Sequence, residues 1–483
     1  MKVKDDSISE VLVKNATSFY IPPFQRAYAW GTHELERYYS DIGKIIESEK
    51  NPDEKDKIEH FFGVLVFKTE RDGFASREIV VDGQQRITTT LLLLIALRDA
   101  STNDDEKTHI ENSYLKNTNS TFSEKIKLKT VTNDWDSYKA LVQKREPIKG
   151  NLTTAYNYFS SRIANGNHSV RNYLDAIGKV NVACVFLDER PYKGEDPQII
   201  FETLNSLGRP LRLSDLIRNF VLLGMSSEEQ TNVFDGKWHP KIEKELGVNI
   251  SHFFRDYLQY KNSKAFKVVS DGNTKELYAQ FKDYVKDEFH GDRSALVDDI
   301  LRYIRLYNWI VTTDSRYDIS SDKAKHKEIA ELLRNIFHDI GAEAFKPLVL
   351  GLLEYHQYGF GSKRLSDAQL VAALTTIRTY LIRRRTMKLA QGENKDIPRL
   401  CDKIKGEDLC KDAEATMLQL FANGTYHLRM PNDIEIRSEL SRIDFYNGLK
   451  SYSKLILGKI EESISKVAVD FRDQRITIEH IIP

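Results

Sequence analysis

The stretch Arg77–Ala100, REIVVDGQQRITTTLLLLIALRDA, constrains this chain more than any other. Glu78 to Val81 is short and rich in β-branched residues, which suit a pleated, half-buried strand. Asp82-Gly83 is a turn dipeptide. Gln84, Gln85 and Arg86 follow, and then a helix whose middle, Leu91 to Leu97, is apolar on every side. A helix that is apolar all round belongs in a core. Asp82 to Arg86 is therefore expected to be a polar loop mounted on two buried elements, at a helix N-terminus. Unpaired backbone N–H groups and the positive end of the dipole gather there, which suits an anion. Taken alone, the stretch reads equally well as an ordinary strand-to-helix turn.

A second stretch, Tyr20 to Trp30 (YIPPFQRAYAW), shifts that balance. Its two prolines hold the backbone extended or polyproline-like. Gln25 and Arg26 then sit among Phe24, Tyr28 and Trp30. A fork-shaped guanidinium beside aromatic rings suits phosphate or base recognition. An arginine stacked on an indole is equally a plain core anchor. A third piece, Phe61-Phe62-Gly63, opens the strand FFGVLVF, and its glycine lets another group approach the backbone closely.

IPPFQRAYAW, FFGVLVF and VDGQQRITT, in that order and spacing, resemble the ParB-like domain at the N-terminus of GmrSD-type modification-dependent restriction enzymes. FETLNSLGRPLRLSDLIRN, Phe201 to Asn219, is a fourth similarity. The C-terminal RITIEHIIP is similar to the opening of that family's HNH nuclease motif. DGQQR and PPFQR are specific as a pair and weak singly. The resemblance runs from Ile21 to Pro483. It implies an α+β chain: a ParB-like small mixed sheet with helices over residues 1–225, a mostly α-helical domain over 226–466, and the start of an HNH nuclease domain over 467–483. It further implies hydrolysis of a nucleoside triphosphate (GTP, ATP or CTP), DNA as partner, with sensing of modified phage DNA, and Mg2+ or Mn2+ for a complete nuclease.

Bulk composition limits the classes. Roughly two to four domains are expected at this length. Lys+Arg and Asp+Glu are both 71, so a nucleic-acid binder of this composition needs a local basic patch. Cys184, Cys401 and Cys410 form no CxxC, which argues against a disulfide scaffold or zinc ribbon and fits a reducing compartment. MKVKDDSISE is too charged for a signal peptide, and no apolar run approaches the roughly 20 residues of a membrane span. The chain reads as cytoplasmic, with no membrane partner; composition leaves homo-oligomerisation open.

In chain order, residues 7–19 alternate loosely. Thr32 is expected to cap a helix running through LERYYSDIGKIIES. Phe61–Phe67 and Glu78–Val81 read as a hairpin turning at Arg71-Asp72-Gly73. Residues 108–180 look mostly helical, with Lys125–Lys129 and Lys144-Arg145 as solvated faces. Val180–Leu187 is a buried strand. Asn205-Ser206-Leu207-Gly208 breaks a helix, and Ser214-Asp215 caps the next. In the resembled family this Asn/Gly segment lies against the DGQQR loop, which Asn205 matches; a helix cap is an equal reading. Beyond Ser226 the pattern is helical, with Trp238-His239-Pro240 ending one piece and no fixed-period repeat. Arg383-Arg384-Arg385 reads as a basic helix C-terminus rather than a phosphate contact. No P-loop, HExxH or GxSxG spacing occurs.

The chemistry of the N-terminal site rests on charge. Arg86 and Arg26 can each form bidentate bonds to phosphate oxygens. Gln25, Gln84 and Gln85 carry donors and acceptors that can orient a phosphate, a water or a base edge. Asp82 would repel an anion unless it caps the helix or holds a metal, and capping is the favoured reading. The resemblance adds Tyr28, Trp30, Gly63, Gly83 and Thr88 to the nucleotide-binding set, and makes Asp82, Gln84, Gln85 and Arg86 catalytic. At the C-terminus it assigns His480 as the general base and Glu479 as a metal ligand of the HNH motif. The later Asn and His of that motif are not in this sequence, so DNA cleavage is not expected from it. A nucleotide-hydrolysing sensor and a non-enzymatic nucleotide switch or DNA-binding module are the two function classes.

Overall fold

The computed structural model describes residues 2–465 apart from 15–16, 51–59, 73–74, 121–124, 188–211, 224, 270–272, 313–317, 390–394, 407–408, 423–428, 446–448 and 450–451. The chain divides into two compact units, Met1–Leu211 with Arg218–Gly236, and Arg212–Ile217 with Lys237–Pro483. The architecture is α+β, as expected: a mixed sheet in the first unit and helices through the second.

The first unit is built from β1 (Lys2–Ser7), α1 (Ile8–Val13), β2 (Thr17–Tyr20), α2 (Thr32–Lys50), β3 (His60–Asp72), β4 (Ala75–Asp82) and α3 (Gln84–Ala100). After these come α4 (Asp104–Ile110), β5 (Leu128–Lys129), α5 (Thr132–Val142), α6 (Asn151–Ala164), α7 (Val170–Ile177) and β6 (Val180–Leu187). The sheet order is β1-β6-β3-β4-β2-β5. β3 and β4 form the expected hairpin, pairing antiparallel from Val66–Asp82 to Asp72–Ala75. β6 joins β3 in parallel and β1 antiparallel. β2 lies parallel to β4 and to β5.

α3 is the axis of this unit. Leu91 to Leu97 are all at most 1% exposed, which is what a stretch apolar on every side requires. Each large side chain so buried contributes roughly 1.5–3 kcal/mol. The sheet shows the two-residue alternation of a pleated surface: Leu65, Phe67, Val80, Val182 and Cys184 join the core of α3, while Val66, Val81, Val185 and Leu187 form a smaller cluster with Val64 and Leu223. At the far end of α3, Arg98 is fully buried and donates to the carbonyls of Val142 at 2.8 Å and Leu141 at 2.9 Å. It thereby satisfies the C-terminal carbonyls of α5.

Several local expectations change. Thr32 is the first residue inside α2, not its cap; the Gly31 N–H is taken by Glu34 Oε2 at 3.0 Å. Ser214 and Asp215 lie inside the helix Leu213–Leu223. Lys125–Lys129 is no solvated face: Lys127 is 1% exposed and donates to the Ser113 carbonyl at 2.8 Å, and Lys129 Nζ sits 3.6 Å from the centroid of the Trp135 ring. Long aliphatic stems make such burial workable.

In the second unit the helices Ile250–Lys261, Thr274–Phe289, Arg293–Thr312, Lys323–Arg334 and Asp367–Thr386 carry the expected apolar spacing inward. Trp238-His239-Pro240 does not end a helix but lies within a π-helical segment, Phe234–Glu243, where burial of Trp238 and Ile242 overrides the proline. No described helix is long and apolar enough to cross a membrane.

Candidate functional site

The site begins with the way β4 becomes α3. Gly83 turns the chain at φ 94° and is itself the cap residue of α3, with no side-chain cap bond. A Cβ there would stand 2.3 Å from Leu65 Cδ2, so only glycine lets α3 start this close to β3. The capping role expected of Asp82 is therefore not realised. Asp82 ends β4, half-buried and paired with Val66, one residue before the cap position. Gln84, Gln85 and Arg86 form the first turn of α3, where helix geometry leaves the backbone N–H groups without intrahelical partners.

Two irregularities in the sheet border this turn. β3 carries one extra residue against β6 between Phe61 and Val64, and Gly63 sits in it at φ 106°. β4 carries one extra residue against β3, where Val66 pairs Asp82 and Phe67 pairs Val80. Bulges free ladder carbonyls and re-aim side chains. Here two motif side chains take up the freed carbonyls. Arg86 Nη1 donates to the Val64 carbonyl at 3.1 Å, and its guanidinium lies where a Cβ on Gly63 would come within 3.1 Å. Gln25 Nε2 donates to the carbonyls of Val80 at 2.6 Å and Val81 at 3.2 Å.

Gln85 performs the reciprocal task. It is 7% exposed; its Oε1 accepts from Ala29 N–H at 2.9 Å, and its Nε2 donates to the Ala27 carbonyl at 3.4 Å. The PPFQR segment is thus fastened across the end of β4 and the first turn of α3 by one glutamine from each motif. Arg26, next to Gln25, is exposed. Tyr28 is buried, its hydroxyl sharing a hydrogen bond with Thr89 at 2.7 Å, and burial pushes its phenol well above the usual range. Trp30 is half-buried, edge-on to Phe62 at 6.0 Å, and Phe62 stacks on Tyr38 at 4.5 Å. Thr88 is 3% exposed, inside the core.

The structure thus brings Gln25, Gln85, Gly63, Gly83, Arg86 and Asp82 together where the central β3–β4 pair meets the start of α3. Gln84 and Arg86 are half-buried and Arg26 is exposed, so these three and Asp82 are the polar side chains within reach of a solute. Gln25 and Gln85 are occupied in holding the loop. Asn205, Glu479 and His480 lie outside the described residues.

Two residues of the site had no signal in the sequence. Asp134 of α5 accepts the Tyr28 N–H at 2.6 Å, and burial raises its carboxyl above the usual range. Asn151 of α6 donates to the Tyr28 carbonyl at 3.0 Å. Each lies more than a hundred residues from the loop it fixes, so no local pattern could reveal it. Among the described residues no group of three or more His, Cys, Asp or Glu side chains could hold a metal ion.

No curated protein matches this chain. Residues 8–222, which carry strands β2 to β6 and both motifs, match the family model described as GmrSD restriction endonuclease, N-terminal domain, and the N-terminal region of this chain is similar to that domain.

Proposed function

We propose that the mouth of α3 binds a nucleoside triphosphate, that the chain hydrolyses it, and that hydrolysis is coupled to sensing of modified phage DNA by a modification-dependent restriction endonuclease. One observation carries the reading. Arg86 is held by the Val64 carbonyl over Gly63, at the start of a long buried helix, with one of its five N–H donors used among the described residues. A fixed guanidinium at a helix N-terminus is complementary to a phosphate group.

In this reading Arg86 and Arg26 take the phosphates. Gln84 orients the attacking water. Gln85 acts through position, by holding the PPFQR loop. A Mg2+ that enters with a triphosphate needs only one or two protein carboxylates, and Asp82, at the end of β4, is placed to supply one. The family match supports DNA as the macromolecular partner. His480 and Glu479, as parts of an HNH nuclease, remain assignments of the resemblance.

The test is turnover. Purified chain is incubated with each of the four nucleoside triphosphates, with and without modified DNA. Hydrolysis of at least one, altered by the DNA, is expected. Binding without turnover would favour the non-enzymatic switch.

A further inference from the structure

The second unit holds a cavity of about 760 Å3 that plays no part in the α3 site. This lies within the roughly 300–1,000 Å3 of small-molecule pockets. Its charged lining is Arg212, His252, Arg255 and Arg385 against Asp256 and Glu343. Both carboxylates already hold cations. Asp256, 1% exposed, accepts from Arg255 Nε at 3.0 Å and from the Tyr307 hydroxyl at 2.9 Å. Glu343 pairs with Lys346. Arg212 and Arg385 are therefore cationic charge in excess of the acids of this wall.

The arginine run separates in the same way. Arg383 donates to the Pro431 carbonyl at 2.9 Å and to Asp433 at 2.6 Å. Arg384 is 3% exposed, lies over the Tyr380 ring and donates to the Arg429 carbonyl. These two follow the structural reading of the run. Arg385 instead lines the cavity.

Helix starts reinforce the charge. Arg212 and Leu213 open the helix Leu213–Leu223, Ser251 lies in the first turn of Ile250–Lys261, and Asn273 and Thr274 open Thr274–Phe289. Their positive ends add to the arginines. The rest of the wall is apolar and partly aromatic, with Phe266, Val268, Leu277, Phe345 and Leu381. Arginines beside an apolar wall fit a ligand with a phosphate at one end and a flat, weakly polar ring at the other.

We propose that this cavity binds a nucleotide unit, a phosphate ester carrying a base, at a place distinct from the α3 mouth. The unit comes either as a free nucleotide or as one residue of a DNA single strand; the chemistry recognised is the same. The inference stands whether or not the α3 mouth binds nucleotide.

The test uses the full chain carrying Arg86→Ala, which weakens any binding at the α3 mouth, and reads the further change caused by variants of the cavity. Adenosine monophosphate and a short oligothymidylate are titrated separately by calorimetry. At least one should bind. Adding Arg212→Ala or Arg385→Gln should weaken it by about tenfold or more, the effect of losing a hydrogen bond to a charged group, with circular dichroism unchanged. Arg212 is exposed, so its variant tests the site even where Arg385→Gln disturbs folding. Binding of the mononucleotide identifies a free ligand; binding of the oligonucleotide alone identifies a strand. Affinity unchanged by Arg212→Ala, or no binding of either probe at millimolar concentration, overturns the proposal.

Discussion

Gly83→Ala probes the joint on which the site depends. A Cβ at Gly83 would lie 2.3 Å from Leu65 Cδ2 and 3.4 Å from the Val64 carbonyl oxygen, at a backbone φ of 94°. Leu65 is fully buried, so its methyl cannot swing into solvent. A side chain held in such a backbone region costs about 1–3 kcal/mol. Overpacking the core adds about 1–3 kcal/mol. The gain from a less flexible unfolded chain, about 0.4–1 kcal/mol, is smaller. A net loss of roughly 2–5 kcal/mol is expected. Amide hydrogen exchange across Leu91–Leu97 measures it locally, and urea unfolding measures it globally. Leu65→Ala removes the clashing methyl, so the double variant should lose less than the sum of the single losses. Additive losses, or a loss of only a few tenths of a kcal/mol as at ordinary surface sites, would refute the claim that Gly83 is required by close approach.

Gln85→Ala leaves the Ala29 N–H without its acceptor, which costs about 1–3 kcal/mol and should loosen residues 21–30. Faster exchange or proteolysis confined to that loop is expected, and unchanged protection would show that the bond does not hold it. Lys127 gives a pH dependence. Burial pulls its ammonium from 10.5 down to about 8. Below pH 8 it is charged in both folded and unfolded chains, and the penalty of burying that charge is fully present. As pH rises from 8 to 10.5 the folded chain sheds the proton first, so stability relative to Lys127→Met should climb, by up to about 3 kcal/mol. A flat difference across that window would contradict the burial.

Much of the first unit was legible because its signals are local. Short β-branched and apolar runs gave the β3–β4 hairpin and β6, and the all-apolar stretch gave α3 as a core helix. β1 and β2 were not legible. They are short, and each is fixed by a distant partner, β1 by β6 and β2 by β4 and β5. Residue type also misled. Lys127 is a cation in the core because its ammonium finds a carbonyl there. Gln25 and Gln85 read as ligand-facing amides, yet both serve backbone groups that the bulges and the loop leave over. The motifs marked two segments that the fold packs together; the division between side chains that hold that packing and side chains left to meet a solute required the geometry.

Arg86 is the central residue of the proposed nucleotide site. Calorimetric titration of the chain with the nucleoside triphosphates, beside Arg86→Ala, is the most direct measurement. The guanidinium donates once to Val64 and lies half-buried, so its removal should leave circular dichroism intact. The predicted result is nucleotide binding weakened by about 1.5–3 kcal/mol, the range for a hydrogen bond to a charged group. Equal affinity in the two proteins, with both folded, would contradict it and return Arg86 to the purely structural task of holding the β3 bulge.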